Sequence, residues 1–208
     1  MKVSIIYIII SLALLSCSLG PNPNPGERTV DGLIINKSYK KAIYKLNKKN
    51  DPYPWEQLRL AIIFEEGLGV DKDISWAFNL YKAVAKSWGN DPWSMGNMAG
   101  GAMFGNSGYF KQNSNALFAQ YKISQFYYNG EYVKKDLLKS YLLIQNILSK
   151  GKQVHNFRGV YCCEYFNYKY TPLWDIHLQL KLIESEMSIF QKQKAEKLIL
   201  TRKLGDLI

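Results

Sequence analysis

The sequence predicts an all-α fold, a short α-solenoid of antiparallel helix pairs, and three observations carry that expectation. Apolar residues recur at spacings of three and four along most of the chain after residue 35, the period of an amphipathic helix. The stretch that begins at Trp55 returns in the stretch that begins at Phe118, with matching residues at a constant offset of 63 positions. Self-similarity of this kind marks a repeat architecture. Hydrophobic residues form 47% of the 208-residue chain, enough to close a core and to exclude global disorder.

The chain opens with Met1-Lys2, an uncharged apolar run from Val3 to Leu15, and the small residue Ser16. A basic start, an apolar middle and a small-residue cleavage site form the layout of a secretory signal. The run is about 13 residues, short of the roughly 18–20 that a spanning helix needs. Because it closes on Leu14-Leu15-Ser16-Cys17, it resembles the lipobox of bacterial lipoproteins, which are cut before the cysteine and acylated on it. The resemblance implies a signal peptide over residues 1–16 and a lipid such as palmitate on Cys17. It also implies a mature protein held in the periplasm, on the inner or the outer membrane. Cleavage nearby with Cys17 as a bystander is the alternative the residues leave open. Acyl chains contribute about 0.8 kcal/mol per buried methylene, so several anchor firmly where one is marginal.

Residues 17–34 read as a tether between the lipid and a folded domain over residues 35–208. Pro21-Asn22-Pro23-Asn24-Pro25-Gly26 is a poor helix former and suits a spacer. Ile35, Tyr39, Ala42, Ile43 and Leu46 then recur at helical spacing, while Lys37, Lys40, Lys41, Lys45, Lys48 and Lys49 fill much of the remainder. This predicts an amphipathic helix, stopped by Asp51-Pro52-Tyr53-Pro54. Its lysines suit either anionic headgroups or a solvated face.

The first repeat copy, Trp55–Gly89, holds a helical stretch from Leu60 to Glu66, then Gly67-Leu68-Gly69-Val70, then Asp73 and a second helical stretch from Ala77 to Ala85. In the second copy, Phe118–Gly151, Tyr127, Gly130, Val133 and Asp136 take the places of Phe64, Gly67, Val70 and Asp73. Leu60, Ile63 and Phe64 oppose Ala77, Leu80, Tyr81 and Val84 as two apolar faces that must meet. Gly67 and Gly69 suit a turn with positive φ and close backbone approach. Asp73 stands where its side chain can cap the second helix. These roles are structural, so the repeat glycines and aspartates are not active-site candidates.

An aromatic, two residues, Gly-x-Gly-Val, two residues, Asp, then an Ala-aromatic helix ending in Lys-Ala-x-Ala resembles the Sel1-like repeat, a relative of the tetratricopeptide repeat. The first copy fits nearly throughout. The second departs at Tyr132, where the family has its second glycine, and at Asn146 and Leu148, where it has alanines. The resemblance implies a right-handed superhelix with a concave binding face.

Between the copies, residues 90–114 form an insertion or a degenerate unit, since the offset is not a multiple of a unit of about 36 residues. Gly96, Gly100, Gly101, Gly105 and Gly108 stand among Met95, Met98, Met103 and Phe104. That mixture suits a tightly packed short helix and loop, or an adaptable recognition surface. After Gly151 come the aromatics Tyr161, Tyr165, Phe166, Tyr168, Tyr170 and Trp174. Ile176, Leu180, Ile183 and Met187 predict a helix from about Asp175. Ser188-Ile189-Phe190-Gln191 reads as a capping box opening a last helix, through Leu204, that closes the stack.

Nothing in this pattern forms a catalytic constellation, and no enzyme activity, metal or cofactor is expected. The two histidines, His155 and His177, lack a motif partner, and His177 between Ile176 and Leu178 reads as a partly buried structural residue. Glu65 and Glu66 are adjacent on a helix and point apart. Cys162 and Cys163 are neighbours, about 3.8 Å apart at Cα where a disulfide prefers about 5.5 Å. They read as small packed side chains, or one of them bridges to another chain. Lys and Arg number 27 against 17 acidic residues, a formal net charge of +10. On an exported chain this charge points away from nucleic acid and towards an anionic membrane, a cell-wall polymer or an acidic protein.

Short Sel1-like lipoproteins resemble immunity proteins that neutralise toxins delivered to the periplasm, phospholipase effectors among them. The resemblance implies a stoichiometric inhibitor, and an acidic toxin would suit the basic chain. A structural adaptor recruiting envelope-assembly or secretion proteins is the alternative. Trp55, Trp88, Trp93 and Tyr109 are the partner-binding candidates, because the repeat pattern does not require them and exposed aromatics anchor interfaces. The same rings could instead fill gaps between helices. Trp76 is a weaker candidate, because it starts the second helix of the copy, where it can pack.

Overall fold

The computed structural model describes residues 30–48, 52–86, 107–152, 159–162 and 169–200. Over these the chain is mostly helical: α1 (Val30–Ile35), α2 (Tyr39–Asn47), α3 (Pro54–Glu66), α4 (Ile74–Lys86), α5 (Ser107–Asn129) and α6 (Leu137–Gly151). A hairpin of β1 (Gly159–Cys162) and β2 (Lys169–Pro172) follows, then α7 (Leu173–Glu186) and α8 (Ile189–Leu200).

The folded part begins earlier than expected. Val30, Leu33 and Ile34 are buried in the core, so the span assigned to the tether stops short of residue 30 rather than at 34. The segment read as a signal peptide, Cys17 and the rest of the residues assigned to the tether lie outside the described residues. The single helix expected from Ile35 is also broken. Lys37 turns left-handed at φ 54, while the Ser38 amide donates to Leu33 O at 2.7 Å and the Lys37 amide to Ile34 O at 2.9 Å. This pair of hydrogen bonds is the glycine-type helix stop, here with a lysine. Leu33 and Ile34 on one segment and Ala42 and Leu46 on the next reach the same core only because the axis turns between them.

Pro54 starts α3 at the position where its missing N–H costs nothing, and the Tyr53 amide donates to Glu56 Oε2 at 2.9 Å. The α3–α4 and α5–α6 corners are built alike. Gly67 and Gly130 are left-handed at φ 69 and φ 75. The Asp73 amide donates to Phe64 O, and the Asp136 amide to Tyr127 O, each at 2.9 Å. The Asp73 carboxylate accepts from the Trp76 amide at 2.8 Å, and that of Asp136 from the Lys139 amide at 3.0 Å. Each aspartate thereby satisfies one of the orphan donors at a helix start.

At the second glycine position the corners diverge. Gly69 is left-handed at φ 69, and a Cβ there would stand 2.9 Å from Tyr39 Cβ on α2. Its counterpart Tyr132 keeps the left-handed backbone, φ 64, despite its side chain. In the first corner a ring from α2 presses onto the loop. In the second, the loop's own ring lies against Phe78 of α4, 5.6 Å between centroids.

From α3 to α7 each helix packs on the next, and α8 closes on α6. Tyr81, Leu58, Ile62, Ile63, Leu117, Ile123, Leu142, Ile144, Ile147 and Ile176 are fully buried between them. Where α6 departs from the repeat pattern it carries a polar link instead of an alanine contact. The Asn146 amide donates to Gln120 Oε1 at 2.9 Å, and Gln120 Nε2 to Ala85 O at 3.3 Å, a carbonyl in the last turn of α4. Helix α5 runs 23 residues from Ser107, so the end of the 90–114 insertion belongs to the first helix of the second copy. The remainder of that insertion lies outside the described residues.

The hairpin was not expected. Val160 stands opposite Thr171 and Tyr161 opposite Tyr170, antiparallel, and β1 lies against α5. Strands of four residues are too short for a period of two to stand out in a cluster of tyrosines. Cys162 pairs in register with Lys169, whereas Cys163 and His155 lie outside the described residues.

Candidate protein-binding surface

Two ion-pair and hydroxyl networks hold the helices in place. The Tyr81 hydroxyl donates to Glu65 Oε2 at 2.6 Å, and Lys122 Nζ lies 2.6 Å from Glu65 Oε1. Glu65 therefore ties α3 to α4 and α5, while its neighbour Glu66 is exposed. Burial, then the Glu65 charge and hydrogen bond, pushes the Tyr81 hydroxyl well above the usual phenol range. At the other network, Tyr128 donates to Glu186 Oε1 at 2.6 Å and Lys135 to Glu186 Oε2 at 2.8 Å. The hydrogen bonds from Lys135 and Tyr128 hold the Glu186 carboxyl below its usual range.

The second network joins the α5–α6 corner to the α7–α8 corner. The α3–α4 corner joins the same edge through a 2.8 Å hydrogen bond between the Ser75 and Tyr132 hydroxyls. Three helix corners are thus linked in a row, and each presents a large apolar side chain to solvent. Trp76 is 49% exposed, Tyr132 56%, Ile189 77% and Phe190 72%. Phe64 meets Trp76 edge to face at 6.4 Å, and the buried Phe78 lies 5.6 Å from the Tyr132 ring, so more deeply buried rings support the exposed ones. Lys82 and Lys139 lie over Phe78 and Tyr127, at 5.9 and 4.9 Å from the ring centroids. The row is a ridge of exposed aromatic and aliphatic surface flanked by cations. Aromatic anchors with a charged rim are what a protein interface requires.

The residues singled out from the sequence lie elsewhere. Trp55 is half-buried at the start of α3, stacked on Tyr53 at 6.4 Å, with Arg59 4.5 Å over its ring. Arg59 in turn pairs with Asp31 of α1, so Trp55 belongs to a local clasp. It sits at the opposite end of α3 from the corner, about 18 Å away along the helix. Trp88 and Trp93 lie outside the described residues. Tyr109 lies near the start of α5, whose far end forms the ridge; its side chain is outside what is described. Trp76, the weaker candidate, is half exposed at the start of α4, with Phe64 in edge-to-face contact. His177, expected to be partly buried, is exposed: Ile176, Leu180 and Ile183 take the inward side of α7, and His177 is rotated away from it. Tyr132 carried a sequence signal, the missing glycine. Ile189 and Phe190 carried none, because the capping box Ser188–Gln191 explains the helix start without saying which way they face.

A second exposed apolar line runs along α7, Trp174, Leu178 and Leu182 at spacings of four. An open depression of about 760 Å³ beside Lys40, Phe64, Gly69, Val70, Asp71 and Lys72 mixes both signs of charge and broad access to solvent. Among the described residues no group of three or more His, Cys, Asp or Glu is placed to hold a metal ion, and no helix is long and apolar enough to cross a membrane. No protein-family model and no curated protein matches the chain.

Proposed function

We propose that this protein is a lipid-anchored periplasmic binding module, a short Sel1-like α-solenoid that acts by capturing another protein rather than by catalysis. The observation that carries the reading is the corner ridge: Trp76, Tyr132, Ile189 and Phe190 exposed on linked helix corners. Tyr132 adds weight, since a left-handed non-glycine residue costs about 1–2 kcal/mol and stands where the first copy has glycine. Strain of this kind persists at sites where the side chain is needed. Together with the basic chain, the ridge supports an inhibitor of a secreted toxin, and a phospholipase effector with an acidic face is the partner class that fits.

The test is capture of effectors encoded beside this gene, by the intact protein and by a Trp76→Ala/Tyr132→Ala/Phe190→Ala variant. The variant should bind at least tenfold more weakly, about 1.4 kcal/mol, with helix content unchanged. Undiminished capture refutes the ridge as the interface. Capture of an envelope-assembly protein in place of a toxin makes the protein an adaptor.

A further inference from the structure

We infer that the exposed face of α2 docks on an anionic membrane surface, laying the domain against the bilayer that holds its N-terminus. Ala42 and Leu46 turn inward, 0% and 1% exposed. Away from them stand Lys37, Lys41, Tyr44 and Lys48, at spacings of four, three and four and all exposed. The intervals from Lys41 to Tyr44 and Lys48 set those three along one line of the helix, and Lys37 stands in the turn that precedes it. Lys40 is exposed beside the line, and Lys45 adds a further cation to the same helix. No acidic residue occurs between Gly32 and Lys48, and the acid just before, Asp31, is held by Arg59. The face is therefore uniformly positive, unlike the depression beside it.

Tyr44 is 64% exposed in the middle of this line, and the Lys48 ammonium lies 4.6 Å from its ring centroid. A polybasic face carrying one amphipathic ring suits an anionic headgroup layer, where the ammonium groups meet phosphate and the ring meets the interface. Like charges crowded on a short helix repel in water, and a sheet of anionic headgroups relieves that repulsion at every lysine together. Chain length points to the same occupant. Only residues 17–29 separate Cys17 from α1, at most about 45 Å when fully extended. In this respect the inference rests on the anchoring at Cys17 proposed above.

The acylated full-length protein, reconstituted in vesicles, tests it by labelling with a membrane-impermeant amine reagent and reading each lysine by mass spectrometry. In vesicles of equal parts phosphatidylcholine and phosphatidylglycerol, labelling of Lys37, Lys41 and Lys48 should fall severalfold relative to the exposed Lys192 and Lys194 of α8. It should recover in 1 M salt, where the Debye length is about 3 Å, and in phosphatidylcholine alone. Equal labelling in both vesicles overturns the inference, as does protection that needs an added protein. A second arm uses the unacylated Cys17→Ser chain. Adding Lys37→Gln, Lys41→Gln and Lys48→Gln should lower its partition onto the anionic vesicles by about fivefold per lysine, on the order of a hundredfold in all. An unchanged partition overturns the docking face. Lysine-dependent binding by a chain that proves never to be acylated leaves the face standing and refutes the anchor instead.

Discussion

Gly69→Ala should destabilise the protein far more than Gly67→Ala, although both glycines sit in one turn with the same backbone angle, φ 69. A left-handed alanine costs about 1–2 kcal/mol, offset by roughly 0.4–1 kcal/mol because the unfolded chain loses freedom. At Gly67 the new methyl meets Lys72 Cβ at 3.4 Å, ordinary contact, so the net loss should be about 1 kcal/mol or less. At Gly69 the methyl would stand 2.9 Å from Tyr39 Cβ. Both atoms are fixed to backbone, so neither can rotate away and α2 itself must move. Overpacking of that kind adds about 1–3 kcal/mol, for a total of about 1–4 kcal/mol. Urea unfolding followed by far-ultraviolet circular dichroism reads the difference as a lower midpoint with an unchanged slope. Tyr39→Ala does not remove the clashing Cβ, but Tyr39→Gly does; in that background the two alanine substitutions should cost the same. Equal losses in the parent protein would refute the close approach of α2 to the first corner.

Asn146→Ala restores the residue of the repeat pattern yet should destabilise by about 1–3 kcal/mol, because it leaves the buried Gln120 Oε1 without its donor; unchanged stability in the same urea titration would dismiss the polar link. Tyr81 keeps its proton in the folded state above the unfolded value of 10.0, chiefly through burial and then through Glu65. Its contribution is full below pH 10, and stability falls above it as the unfolded chain ionises first. Tyr81→Phe should make that alkaline loss shallower, without abolishing it, since Tyr121 and Tyr141 are also raised. An identical pH profile in the variant would speak against a buried Tyr81–Glu65 bond. Cys17→Ser should release the protein from membranes or leave its precursor uncleaved while helix content stays constant; equal fatty-acid labelling of variant and parent would refute acylation at Cys17.

The parts of the fold that were legible are those settled within one turn or one corner. Gly67 with Asp73, and Gly130 with Asp136, close their loops by bonds to residues nine positions earlier, so spacing alone exposes them. The inward side of α7 was legible for the same reason: Ile176, Leu180 and Ile183 follow the helical period and are buried. The break at Lys37 was not, because a lysine gives no stop signal and only the shared core makes α1 and α2 diverge. The hairpin was hidden by strands too short to show a period.

The candidate surface shows the division most clearly. Sequence spacing by itself determined the helix pairs, the capped corners and the exceptional residue Tyr132, since each depends on contacts a few residues away along the chain. Which aromatics face solvent was decided by tertiary packing alone. Trp55 is taken up by Arg59 and the α1 segment, while Trp76, in edge-to-face contact with Phe64, stays half exposed. Ile189 and Phe190 join the same ridge only because Lys135 and Tyr128 draw Glu186 to the second corner. Exposure depends on neighbours from distant segments that no local spacing encodes, so the exposed row exists only once the corners are brought together.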